Sequence, residues 1–237
     1  MQYRFIDCRW DIAERGRGRD LYLAGHIPGA SFVDLEEDLS DLSAPDQGRH
    51  PLPSAERFAA VASRAGIGPG VLVVAYGNMG SAERLWWLLR HFGHDDCAVL
   101  VGGIDAWGGP LVSGEEVVDP AEFVPRERAG DTIAAEQLAR RLADPSLVLV
   151  DARQPARWRG EENPLDNPSG RIPGALNAPW NEPQPESFPE GELVAYCGSG
   201  VTACVVLHRA HLRGRDGVLY AGSWSDWSTR GLPLERS

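Results

Sequence analysis

The residue best placed to do chemistry is Cys197, which opens the run Cys197-Gly198-Ser199-Gly200-Val201-Thr202 directly after the apolar stretch ELVAY at 192–196. A cysteine at a strand end, followed by glycines and then by an apolar-rich helical stretch at 202–212, lies where α/β sheets bind their ligands. Gly198 and Gly200 let the backbone curl so that successive N–H groups point inward, and the helix N-terminus beyond them adds partial positive charge. Such a cup stabilises an anionic sulfur, so Cys197 is expected to have a lowered pKa and to be nucleophilic near neutrality. The alternative reading is a buried structural cysteine beside a tight turn. Cys204, two helical turns further on, reads as core.

The elements around this loop occur twice. An apolar strand ends in an acid and then an arginine at FIDCR (5–9) and again at LVDAR (149–153). Each is followed by a Gly-x-Ile-Pro-Gly-Ala turn, Gly25–Ala30 and Gly170–Ala175. VLVVAY (71–76) and ELVAY (192–196) then read as buried strands, each leading through a glycine-containing loop into a helix. The closing segments, 103–107 and 223–227, keep the same register, and the second copy is about 25 residues shorter between turn and loop. Strands alternating with helical stretches at 82–90, 134–143 and 202–212 predict an α/β fold with a mainly parallel sheet flanked by helices in each half. The expected domains are 1–115 and 130–237. They are joined by an acidic, proline-punctuated stretch near 112–130, while 160–170 and 181–192 read as surface loops. Gly77 stands in the first copy where Cys197 stands in the second, so nucleophilic chemistry belongs to the second domain alone.

Composition limits the alternatives. With 237 residues, 43% of them apolar, the chain has ample material for two cores. All 23 basic residues are arginines, so Schiff-base chemistry, a pyridoxal anchor and a P-loop lysine are excluded. A net charge of −11 argues against a nucleic-acid partner. No apolar run is long enough to span a membrane and the first residues carry no signal-peptide pattern, which predicts a soluble, cytoplasmic protein. Four cysteines, Cys8, Cys97, Cys197 and Cys204, form neither a disulfide framework nor paired metal-binding spacing. His26, His91, His94, His208 and His211 likewise form no metal-like constellation, so no metal is expected. A cysteine phosphatase or arsenate reductase needs C-x5-R, and position 203 is alanine.

Several motifs together resemble the tandem rhodanese family of thiosulfate and 3-mercaptopyruvate sulfurtransferases. They are GHIPGA at 25–30, HPLP at 50–53, WWLLRHFGH at 86–94, GG-x-x-x-W at 102–107, the second turn at 170–175, CGSGVTA at 197–203 and GSWSDW at 222–227. The resemblance implies two tandem rhodanese-like domains, the first catalytically inactive and the second catalytic. It also implies double-displacement sulfur transfer: Cys197 takes a sulfane sulfur from a small-molecule donor, becomes a persulfide, and passes the sulfur to cyanide or a thiol, with no cofactor. Backbone N–H groups of Gly198, Gly200, Val201 and Thr202 are implied to hold that sulfur.

The loop lacks the basic residues that thiosulfate-specific members usually carry, so the resemblance favours 3-mercaptopyruvate as donor, with thiosulfate the alternative and a non-catalytic binding module the more distant one. In the mercaptopyruvate branch Ser199, His50 and Glu36 correspond to a proposed serine–histidine–acid relay, with glutamate where aspartate is usual. Arg157 corresponds to the first substrate arginine. The second falls in Pro164-Leu165-Asp166-Asn167, where the arginine is absent; Arg171, which replaces a histidine of the second turn, is the candidate to compensate in part by reaching the pocket, the alternative being a surface arginine at a turn.

Overall fold

A computed structural model describes residues 2–162, 165–166 and 168–236. The chain forms two compact units, Met1–Asp41 with Leu52–Arg128, and Leu42–Pro51 with Ala129–Ser237. The short segment 42–51 therefore folds with the second unit although it lies in the first half of the sequence.

The first unit runs β1 (Gln2–Asp7), α1 (Arg17–Ala24), β2 (Ser31–Phe32), α2 (Ala55–Arg64), β3 (Val71–Tyr76), α3 (Ser81–His91) and β4 (Cys97–Val99). The second runs α4 (Ala135–Arg140), β5 (Leu147–Asp151), α5 (Pro155–Arg159), β6 (Leu176–Asn177), β7 (Glu192–Tyr196), α6 (Ala203–His211), β8 (Val218–Leu219) and α7 (Ser223–Trp227). Each unit holds a four-stranded parallel sheet, ordered β2-β1-β3-β4 and β6-β5-β7-β8. The α/β expectation thus holds in both halves. α4 stops at Arg140, short of the expected 143, as Arg141 turns to pair with Asp144 and Glu192.

The registers show the duplication residue by residue. Asp7 pairs with Tyr76 across β1 and β3, and Asp151 with Tyr196 across β5 and β7. In each unit the tyrosine hydroxyl accepts the N–H of the turn isoleucine, Ile27 at 3.3 Å and Ile172 at 3.1 Å. The turns are closed by Ala30 N–H to Ile27 O (3.0 Å) and Ala175 N–H to Ile172 O (3.2 Å). Gly29 and Gly174, at φ 76° and 77°, hold the third position, which in a type II turn after proline demands positive φ.

The Asp-Arg pair is also copied. Arg9 and Arg153 each place Nε and Nη2 on their own aspartate two residues back, and each donates from Nη2 to a turn glycine carbonyl, Gly25 at 2.7 Å and Gly170 at 2.8 Å. These pairs tie a strand end to the following turn. The core of the second unit gathers Leu138, Leu149, Ile172, Val194, Tyr196, Tyr220, Trp224 and Trp227. No helix among the described residues is long and apolar enough to cross a membrane.

Candidate functional site

Cys197 follows β7, an inner strand of the second sheet, and leads through five residues into α6. Its own N–H donates to Ser223 Oγ at 3.0 Å, and that hydroxyl donates to Tyr220 O at 2.9 Å. From the first turn of α7, Trp224 N–H donates to the Cys197 carbonyl (3.0 Å) and Ser225 N–H to the Gly198 carbonyl (2.9 Å). With those carbonyls pulled outward, the loop N–H groups face inward, and Gly200 N–H meets Cys197 Sγ at 3.1 Å. Gly200 has φ 81°, and a Cβ there would lie 2.3 Å from Ala221 O, so no other residue fits that position.

Burial alone pushes the Cys197 thiol upward. The Thr202 hydroxyl and the backbone N–H groups of Ser199, Ala203 and Gly200 outweigh it, and the pKa comes out below the ordinary thiol value. The contrast with two other cysteines is chemical rather than positional. Burial pushes Cys8 well up, with Asp7 adding to it, and pushes Cys97 up to about 12. Cys204 Sγ donates to Gly200 O at 3.4 Å, and among the described residues no two cysteines form a disulfide. Among the described residues no cluster of His, Cys, Asp and Glu is arranged to hold a metal.

Among the groups that lower the Cys197 pKa against its burial, the Thr202 hydroxyl acts most strongly. In Thr202→Val the alkylation rate of Cys197 by iodoacetamide, followed against pH, should show its rising limb moved upward by about one pH unit. A limb that stays in place would show that the backbone donors alone set the thiolate.

The segment 42–51 supplies two more groups. His50 Nδ1 lies 2.7 Å from Ser199 Oγ, and both residues are buried. Arg49 N–H donates to Ser225 Oγ at 3.1 Å, which fixes the segment on α7. The Arg49 guanidinium is ion-paired through Nη1 with Asp166, and Arg157 Nη2 reaches the same carboxylate at 3.3 Å. Both guanidiniums border Gly198: the point a Cβ would occupy there is 2.9 Å from Arg49 Nη2 and 3.3 Å from Arg157 Nη2. Burial and the neighbouring Arg157 lower the pKa of Arg49, while Cys197 acts to raise it. For Arg157, burial and Arg153 are the lowering influences.

The second unit therefore brings together Cys197, Gly198, Ser199, Gly200, Val201, Thr202, His50 and Arg157. Glu36 belongs to the first unit, where its carboxylate lies 3.7 Å from Arg15 Nε. Arg171 is ion-paired with Glu235, and its guanidinium lies 4.1 Å from the centre of the Trp158 ring. Of the stretch expected to carry a substrate arginine, Pro164 and Asn167 lie outside the described residues, and Leu165 is exposed. Sequence reasoning missed three residues. Arg49 gave its signal only as an arginine directly before His50. Asp166 braces the two guanidiniums. Ser223 adopts φ 54°, a conformation costly for a residue with a side chain, at the position where the first unit has Gly103 at φ 60°.

Comparison with known proteins agrees with this geometry. The family described as "Rhodanese-like domain" matches residues 1–109 and 134–230. The probable 3-mercaptopyruvate sulfurtransferase of Pseudomonas aeruginosa is 40% identical, over 94% of this chain and 88% of its own. The putative thiosulfate sulfurtransferase SseB of Mycobacterium tuberculosis is 36% identical, over 94% and 87%. Among solved structures, SseA from Escherichia coli, described under the "Rhodanese" fold and catalytic mechanism of 3-mercaptopyruvate sulfotransferases, superimposes with a TM-score of 0.80 at 31% identity, covering 94% of this chain and 93% of that one. A duplicated parallel-sheet fold, a cysteine loop in its second copy alone and matches across most of the length lead to one conclusion: the chain belongs to the rhodanese family.

Proposed function

We propose that the chain is a sulfurtransferase that moves a sulfane sulfur from 3-mercaptopyruvate to a thiophilic acceptor, cyanide or a thiol, through a persulfide on Cys197. The observation that carries this reading is the convergence of Thr202 and three backbone N–H groups on a sulfur whose pKa they lower, beside two guanidiniums suited to an anionic donor. Relatives at 36–40% identity named for mercaptopyruvate and thiosulfate transfer support it.

In the first step the Cys197 thiolate attacks the donor sulfur. The new S–S bond forms as the C–S bond breaks, and the electron pair of the latter stays on carbon as the enolate of pyruvate. The proton lost from the donor thiol is taken up by that carbon, and the hydrogen-bonded Ser199–His50 pair is the route for it. The persulfide anion rests on the donors that held the thiolate. The acceptor then attacks the outer sulfur, the S–S bond breaks, and the thiolate returns to its cup.

Thiosulfate is the second reading, favoured by the excess positive charge of Arg49 and Arg157 over Asp166. Intact-mass measurement after exposure to each donor without acceptor separates the two. Mercaptopyruvate should leave Cys197 heavier by one sulfur atom, an adduct that cyanide removes, and at a lower concentration than thiosulfate requires. Preferential loading by thiosulfate would overturn the donor assignment, and no adduct from either would overturn the sulfurtransferase reading.

A further inference from the structure

We propose that Arg49 is a donor-binding residue, forming with Arg157 a two-guanidinium clamp over Gly198 that takes the donor's anionic end, with Asp166 as its brace. This rests on the reading of the protein as a sulfurtransferase with an anionic donor and names the group that sets its specificity. Three observations carry it. Arg49 Nη1 and Arg157 Nη2 share the Asp166 carboxylate, whose side chain is only 5% exposed, so two cations face one anion in a half-buried place. Arg49 Nη2 and both Nη atoms of Arg157 lie 2.9–3.5 Å from the point a Cβ would fill on Gly198, the residue next to the nucleophile. Arg157 Nε is buried with no hydrogen-bond partner among the described residues, a donor still in need of an acceptor.

The alternative second arginine, Arg171, already has Glu235 and the Trp158 ring on its guanidinium. Arg49 is positioned by the backbone, through its N–H on Ser225 Oγ, and its planar fork suits a carboxylate. A glycine at 198 is what leaves room for that carboxylate beside the sulfur.

The test does not depend on turnover. Iodoacetate and iodoacetamide alkylate the same thiolate by the same displacement, in which an S–C bond forms, the C–I bond breaks and iodide leaves with the electron pair. They differ in carrying a carboxylate or a neutral amide. The ratio of their rates at Cys197 should fall about tenfold in Arg49→Met, with the iodoacetamide rate little changed, and recover in part in Arg49→Lys. Arg49→Gln, which keeps hydrogen-bond donors without charge, reads the same ratio should the methionine variant fold poorly. With mercaptopyruvate, Arg49→Met should raise KM about tenfold and leave kcat within about twofold.

An unchanged ratio in both uncharged variants would overturn the clamp. A lowered ratio without sulfur loading from mercaptopyruvate would keep the clamp and overturn the donor reading. Loading with an unchanged ratio would do the reverse.

Discussion

Replacing Cys197 by serine is expected to abolish sulfur transfer while leaving the protein folded. Serine keeps an oxygen where the Gly200 N–H donates to Sγ at 3.1 Å, so the inward N–H groups retain an acceptor and the loop keeps its shape. The loop is held from outside by Ser223, Trp224 and Ser225 on the backbone of residues 197 and 198, contacts the substitution does not touch. Unfolding free energy should therefore stay within about 1 kcal/mol of the parent. The chemistry has no substitute, because a hydroxyl neither ionises at neutral pH nor carries a second sulfur. Steady-state transfer to cyanide should drop by at least about 10⁴-fold.

Returning a cysteine to the first unit should not rescue the variant. At Gly77 a Cβ would lie 2.4 Å from Ser81 Oγ, and that hydroxyl accepts the Asn78 N–H (3.2 Å) and donates to Asn78 O (2.8 Å). The serine thus occupies the space that a thiolate needs, and Cys197→Ser/Gly77→Cys should remain inactive. Residual turnover in Cys197→Ser, or recovery in the double variant, would place the nucleophile elsewhere.

What the sequence makes legible follows from how local each constraint is. The turns at 27–30 and 172–175 need proline and glycine in adjacent positions, and the tyrosines at 76 and 196 recur in register with them, so the duplication and both parallel sheets are visible without coordinates. The cysteine loop is visible for the same reason, since Gly200 and the absence of a cysteine at 77 are local facts. Arg49 is not local. Its relation to Cys197 exists because residues 42–51 fold with the second unit, and nothing in the composition of that segment announces this. Ser223 is hidden because serine is an ordinary residue in an extended or helical backbone. Only alignment with Gly103 marks it as left-handed, and only the structure shows its hydroxyl accepting the Cys197 N–H. Arg171 and Arg49 cannot be ranked from sequence, because the ranking turns on Glu235 and Asp166, each remote in sequence from the arginine it pairs with.

The largest stability effect should come from Arg153→Met. Asp151 is fully buried and the Arg153 side chain is 1% exposed, with the backbone N–H, Nε and Nη2 of residue 153 making four hydrogen bonds to the carboxylate, Nη2 also donating to Gly170 O, and the guanidinium 4.8 Å from the Trp224 ring centre. Methionine fills much of the volume but leaves Asp151 charged or protonated in an apolar interior. Loss of one partner of such a pair costs about 3–5 kcal/mol, a large part of a domain's stability. Arg9→Met, at the twin position, removes a guanidinium that is 13% exposed, so water reaches the orphaned Asp7 more easily and the loss should be smaller. Arg153→Met/Asp151→Leu should recover much of the deficit, because the desolvated carboxylate is gone. Denaturant unfolding of the three variants decides the matter. Equal losses at 9 and 153 would show that burial does not set the penalty, and failure of the double variant to recover would show that the pair acts through the turn at Gly170 rather than through its charge.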